Sequence, residues 1–138
     1  MNILRSSLLA VAVLLLASSA RAGSAKEEGY TDLTIEQVSD LIAKKEADIF
    51  DNNQKDVYAK SHLPTAKWVQ FNAVKESDLP KDKSRKLVFY CANTHCMACH
   101  EGARAALKFG FKNVFIMSAG IQGWEKAGKP VEKGDPLA

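Results

Sequence analysis

Three thiols within nine positions, Cys91, Cys96 and Cys99, hold most of the chemistry that this chain of 138 residues can be expected to do. A cysteine attacks as its thiolate. Cys91 follows directly on the apolar, β-prone run Leu87-Val88-Phe89-Tyr90, so a buried strand should end on it, and a helix should begin near Cys99. Such a strand-to-helix turn offers unpaired backbone N–H groups and the positive end of a helix dipole. Both lower a thiol pKa and would surround an anion carried on the Cys91 sulfur, such as a persulfide or a bound oxyanion. Cys91 is therefore the candidate nucleophile, and Ala92, Asn93, Thr94, His95, Cys96, Met97 and Ala98 form the candidate binding loop. Cys96 and Cys99 have two readings, as a resolving or redox pair beside Cys91 or as small fillers of the loop and helix cap. His95 lies in the same loop, where its imidazole could move a proton near Cys91.

The pentapeptide Cys96-Met97-Ala98-Cys99-His100 supports a competing chemistry, because Cys-x-x-Cys-His is the spacing at which haem c is attached through two thioethers and an axial histidine. Against it stand the runs at 87–90 and 114–117, two strands that need each other in a sheet, whereas a monohaem cytochrome c is mainly helical. Covalent haem c on Cys96, Cys99 and His100 is the alternative; otherwise no cofactor is expected. Zinc held by Cys91, Cys96, Cys99 and His100 is disfavoured, since their crowding is unlike the paired knuckles of structural zinc. Three cysteines cannot all pair within one molecule, and a bridge inside nine positions closes too short a loop to add much stability. The cluster reads as reactive rather than structural.

These residues need a scaffold, and the pattern along the chain supplies one. Arg5, the uncharged apolar run 8–17 and the small-x-small triplet Ala20-Arg21-Ala22 read as a secretory signal over 1–22, too short in its apolar part for a membrane span. The mature protein is expected to be exported, periplasmic or secreted, with no stable membrane insertion. Residues 23–33 read as a loose leader and 34–138 as one domain. Thr34-Ile35-Glu36-Gln37 reads as a capping box opening a helix whose apolar face is Ile35, Val38, Leu41 and Ile42. Strands are expected at 47–50, 67–70, 87–90 and 113–117, with helices at 56–61, 101–109 and 121–127 and a brief helix within 72–86. Continuous apolar strands alternating with helices predict an α/β domain, a parallel sheet flanked by helices on both faces. Reactive groups in such sheets sit at the carboxyl ends of strands, where Asp51 and Cys91 are both placed.

Several separate segments, in order, resemble the rhodanese-like sulfurtransferase family. Ala47-Asp48-Ile49-Phe50-Asp51 is similar to its first strand with a terminal Asp, and Ser61-His62-Leu63-Pro64-Thr65-Ala66 to its Gly-His-Ile-Pro-Gly-Ala turn. Residues 87–91 match the strand carrying the catalytic Cys, Phe109-Gly110-Phe111-Lys112-Asn113-Val114 the helix-to-strand joint, and Gly120-Ile121-Gln122-Gly123-Trp124 a late Gly- and Trp-bearing element. The resemblance covers about 30–132 and ends on Gly128-Lys129-Pro130-Val131. It implies double displacement: Cys91 takes sulfane sulfur from a small donor, thiosulfate or a thiol persulfide, holds it as a persulfide and passes it to a thiol or cyanide-like acceptor. Asp51, His62 and Trp124 are implied as supporting residues, and a protein redox or sulfur-relay partner is an added expectation.

The departures are specific. Asp51-Asn52-Asn53 replaces the family's Asp-x-Arg, the loop after Cys91 is longer when measured to Gly110, and no Arg or Lys occurs between Cys91 and Arg104. A non-catalytic sulfur carrier or interaction module is the second reading, and a haem or disulfide electron-transfer protein the third. Nucleic acid is excluded as a partner by charge. The chain carries +3, and removing Arg5 and Arg21 with the signal leaves seventeen basic against sixteen acidic side chains, interleaved as on a solvated surface.

Overall fold

The computed structural model describes residues 29–135; the signal segment and the first part of the leader lie outside the described residues. Five strands, β1 (Thr31–Asp32), β2 (Ala47–Asp51), β3 (Lys67–Trp68), β4 (Lys86–Tyr90) and β5 (Val114–Met117), form one sheet in the order β1-β5-β4-β2-β3. Every pairing is parallel. The helices are α1 (Ile35–Ala43), α2 (Lys55–Lys60), α3 (Ala98–Lys108) and α4 (Gly120–Lys126), with a 3-10 turn at Glu76–Asp78. The expected fold is the one found.

Local chemistry explains where the elements begin. The Thr34 hydroxyl accepts from the Gln37 N–H at 3.2 Å and the Gln37 side chain accepts from the Thr34 N–H at 2.9 Å, so the capping box starts α1 as its residue types demand. The leader is a correction. Its last residues, 29–33, are not loose: Tyr30 is buried, Thr31–Asp32 pairs with β5, and Leu33 donates to the Ile116 carbonyl at 2.8 Å. Asp32 accepts from both the N–H and the hydroxyl of Ser118. Without β1, β5 would be an open edge with unpaired backbone groups.

Strand alternation divides the core. Leu87, Phe89 and Cys91 face one side of the sheet, packed under Cys99, Ala103 and Ala106 of α3. Val88 and Tyr90 face the other, against Val38 of α1, Tyr58 of α2, and Ile121 and Trp124 of α4. β4 is the central strand, and the helices that follow the neighbouring strands β2 and β4 leave to opposite sides. A crevice must open between those two strand ends, as in other doubly wound sheets.

Two glycines allow the close approaches at this crevice. A Cβ on Gly102 in α3 would stand 2.5 Å from Asn52 Oδ1 and 2.8 Å from Phe89 Cδ1. Gly120 opens α4 at φ +63°, and a Cβ there would lie 2.5 Å from the Ala92 carbonyl oxygen and 2.6 Å from the Asn93 nitrogen. With no side chain in the way, the Ile121 N–H donates to the Cys91 carbonyl at 2.9 Å and the Gln122 N–H to that of Ala92 at 3.0 Å.

Gly128 also has a positive φ, but a Cβ there meets nothing. Urea unfolding should separate strain from collision: Gly128→Ala should cost about 1 kcal/mol and Gly120→Ala about 3 kcal/mol. Thr65 occupies the left-handed region at φ 66° where the similar turn has Gly, so Thr65→Gly should stabilise by about 0.5 to 1 kcal/mol in the same assay.

Candidate active site

Cys91 ends the central strand at 1% exposure, its sulfur donating to the Cys96 carbonyl at 3.4 Å and lying within reach of both other thiols. The loop closes over it through Asn93. The Cys96 N–H donates to the Asn93 carbonyl at 3.0 Å, and the Asn93 side chain accepts from the His95 N–H at 3.0 Å, an Asx turn that folds the chain back. The Asn93 amide then donates to Gln122 Oε1 at 3.1 Å, which ties the turn to α4.

The expected depression of the Cys91 pKa is a correction. The adjoining Cys99 thiol and then burial hold Cys91 well above the usual thiol range, although the Cys96 thiol and, more weakly, the Cys99 N–H act in the opposite direction. Desolvation of a thiolate on the core side of the sheet outweighs the helix start. The cradle of amides goes instead to Cys96, whose sulfur is approached by the N–H groups of Ala92 and Ala98. These pull its pKa down against burial and the Cys91 contact, which leave it raised. Cys96 is half-buried, while Cys99 is fully buried on the core side of α3.

A cavity of about 740 Å³ opens where β2 and β4 end, between residues 52–54, Val57, Phe71 and Asn72 on one side and Ala92, Cys96, Met97, Ala98 and Glu101 on the other. Cys96 lines it and Cys91 lies behind. Among the described residues the exposed large apolar side chains are Phe71 at 38% and Met97 at 55%, both on this rim. Glu101 is the one charged lining residue, and it is ion-paired with Arg104 at 2.8 Å. Thr94 and His95 are exposed at the tip of the loop, outside the residues lining this cavity.

The three implied supporting residues are placed elsewhere. Asp51 alternates with Asn52, so it shares the face of Tyr90, opposite Cys91. His62 stacks on Tyr58 at 3.8 Å between centroids and bonds the Tyr58 carbonyl through Nδ1 at 2.8 Å. Trp124 is buried in that same layer and donates to the Pro130 carbonyl at 2.8 Å. All three brace the far side of the sheet. Asn52, which sequence reasoning left unassigned, is the β2-end residue on the Cys91 side; its Nδ2 donates to the Val69 carbonyl at 2.9 Å and its Oδ1 is buried without a partner. Strand parity counted from Phe50 would have singled it out.

The haem alternative fits poorly. Cys99 is fully buried and would have to leave the core to form a thioether. Among the described residues no group of three or more His, Cys, Asp or Glu side chains is arranged to hold a metal ion, and no helix is long and apolar enough to cross a membrane.

The rhodanese-like domain family matches residues 34–127. The chain belongs to the rhodanese-like family. It is 30% identical over 107 residues to the uncharacterized protein YibN of Escherichia coli (strain K12), a match covering 74% of this chain and 72% of that one. The BH2092 protein of Bacillus halodurans superimposes with a TM-score of 0.70 at 25% identity, covering 78% of this chain and 80% of that one. Thiosulfate sulfurtransferase from Pseudomonas aeruginosa shares the fold, with a TM-score of 0.62 at 22% identity over 75% of this chain and 19% of that larger one. Within this rhodanese-like fold, Asn52 and Asn53 line the crevice and give it neutral dipoles.

Asp51 gives a pH-dependent test of the far layer. Its Oδ1 accepts from the Asn53 N–H at 2.7 Å, but burial dominates and raises its pKa, with Tyr90 and Asn53 easing the cost. A raised folded-state pKa means that the neutral form is preferred on folding, and that this preference is lost as pH rises through it. Asp51→Asn should therefore melt a few degrees higher than the wild type at pH 7, with the gap closing as pH falls below the ordinary carboxylate range.

Proposed function

We propose that this rhodanese-like protein is a sulfurtransferase that stores sulfane sulfur as a persulfide on Cys91 and exchanges it with thiols. The observation that carries the reading is the thiol cluster at the carboxyl end of the central strand, roofed by an ordered loop and opening on a cavity large enough for a small peptide or thiol donor. A buried sulfur suits storage, because water and oxidants are kept from the terminal sulfur atom. In a double displacement, Cys91 loses its proton, attacks the outer sulfur of the donor and releases the donor as a thiolate; an acceptor nucleophile later attacks the same outer sulfur and restores Cys91.

The lining of the cavity supports a choice of donor. Thiosulfate is a dianion, and the crevice holds the amides of Asn52, Asn53, Gln54 and Asn72, apolar Val57, Phe71 and Met97, and one carboxylate. A compact, strongly hydrated dianion entering it would lose hydration without gaining a cationic partner. Carboxamides and an apolar rim suit a thiol persulfide of peptide character, free or on a partner protein, with a thiol as acceptor. The signal-like sequence at 1–22 supports an exported location for this chemistry, periplasmic or secreted. A carrier without turnover is the second reading, favoured by the burial of Cys91 and its raised pKa.

Loading with a glutathione persulfide, followed by alkylation, intact mass and peptide mapping, should place one reducible sulfur on Cys91. Steady-state kcat/KM should be at least about tenfold higher for the persulfide than for thiosulfate. Uptake should accelerate as pH rises above neutrality, since the thiol form of Cys91 is favoured at rest. Failure to take sulfur from either donor class would sink the enzyme and carrier readings together; stable loading without turnover would select the carrier.

A further inference from the structure

The thiol that the cavity presents is not the thiol at the strand end. Cys91 is 1% exposed and absent from the lining, whereas Cys96 lines the cavity, carries the amides of Ala92 and Ala98 at its sulfur, and has its carbonyl 3.4 Å from the Cys91 sulfur. The geometry points to Cys96 as a second catalytic thiol, a gate that receives sulfur from the donor at the cavity and relays it inward to Cys91. The inference rests on Cys91 being the store and adds the route by which sulfur reaches it.

The relay balances without any added oxidant or reductant. The Cys96 thiolate attacks the outer sulfur of a thiol persulfide, forming a Cys96 persulfide, and the donor's sulfur-sulfur bond breaks with its electron pair leaving on the donor thiolate. The Cys91 sulfur, losing its proton, then attacks the terminal sulfur of the Cys96 persulfide. The bond from Cys96 Sγ to that terminal sulfur breaks, its pair stays on Cys96, and the Cys96 sulfur takes up the proton Cys91 gave. One sulfur atom and one proton have changed places; nothing has been oxidised or reduced. Release to an acceptor runs the same exchange outward.

Each part of the loop has a place in this route. The Asn93 turn folds Cys96 back over Cys91, and the bond from Asn93 to Gln122 anchors that turn on α4. Burial and the Cys91 contact leave the Cys96 pKa raised, and the N–H groups of Ala92 and Ala98 limit that rise on the thiol the cavity presents. Cys99 lies against Cys91 but is closed off from the cavity, so it has no contact with the donor. Its N–H and thiol line the inner store.

The test follows sulfur through single variants of the full protein, given one equivalent of glutathione persulfide, quenched over time with an alkylating agent and mapped. In Cys91→Ser, sulfur should appear on Cys96 and stay there, exposed to rapid removal by cyanide. In Cys96→Ser, loading of Cys91 should slow by about tenfold or more. The wild type should carry sulfur on Cys96 early and on Cys91 late. Wild-type loading rates in Cys96→Ser, or no sulfur on Cys96 in Cys91→Ser, overturn the relay. So does accumulation of a Cys91–Cys96 disulfide with release of hydrosulfide, which would make Cys96 a resolving thiol. If the wild type never holds sulfur on Cys91 at all, it is the underlying reading that fails.

Discussion

The site depends on one backbone seam, where the first turn of α4 is laid against the residues that leave β4. Two N–H groups at the start of that helix, which have no partner inside it, are satisfied by the carbonyls of Cys91 and Ala92, two acceptors that no strand reaches. The seam forms only because Gly120 lacks a Cβ and accepts a left-handed φ. It fixes where the strand ends, the direction in which the loop departs, and the anchor point for Asn93. The position of Cys96 over Cys91 is therefore inherited from a helix that contributes no catalytic group. A binding loop held at both ends in this way is preorganised by its own hydrogen bonds.

The period of two along a strand has a second consequence at the same place. Phe50 and Asn52 share the α3 side of the sheet with Cys91, while Asp51 and Tyr90 share the other. Buried polar atoms left unpaired on Asp51, Asn52 and Asn53 cluster at this strand end, where they cost stability in any ordinary core. Those on Asn52 and Asn53 belong to residues lining the crevice, where a ligand or ordered water has polar atoms to engage, while Asp51 lies in the far layer. Gly102 lets α3 come down onto Asn52, which closes the inner wall of the site against Phe89.

Electrostatics and burial divide the proposed labour between the thiols. Cys91, between the sheet and α3, keeps its proton and is shielded, which is poor for first attack and good for storing a labile sulfur atom. Cys96 has backbone dipoles, access and a rim of neutral amides and apolar groups. A cavity whose charged lining residue, Glu101, is already ion-paired does not attract small anions; it discriminates through shape and through the hydration a ligand must give up.

Much of this was legible in the residues. The Thr34 and Gln37 cap, the continuous apolar strands and the glycine- and proline-bounded turns are local signals, and hydrophobic periodicity sufficed to identify an α/β sheet with Cys91 at a strand end. The ordered family segments agreed with it. Other features were settled only when distant segments met. Residues 30–32 look polar and loose alone, yet they complete an edge because β5 lies open beside them. Asp51, His62 and Trp124 read only as supporting residues, and which side of the sheet each occupies was set by the packing. Most of all, the sequence by itself determined that three thiols would fall at one strand-to-helix turn, since the β-prone run ends at Cys91 and the helix signal begins near Cys99. Which of them is buried, which meets the cavity and which receives the amides was decided by the tertiary structure, because burial and amide direction arise from α3, α4 and the end of β2 closing around the loop.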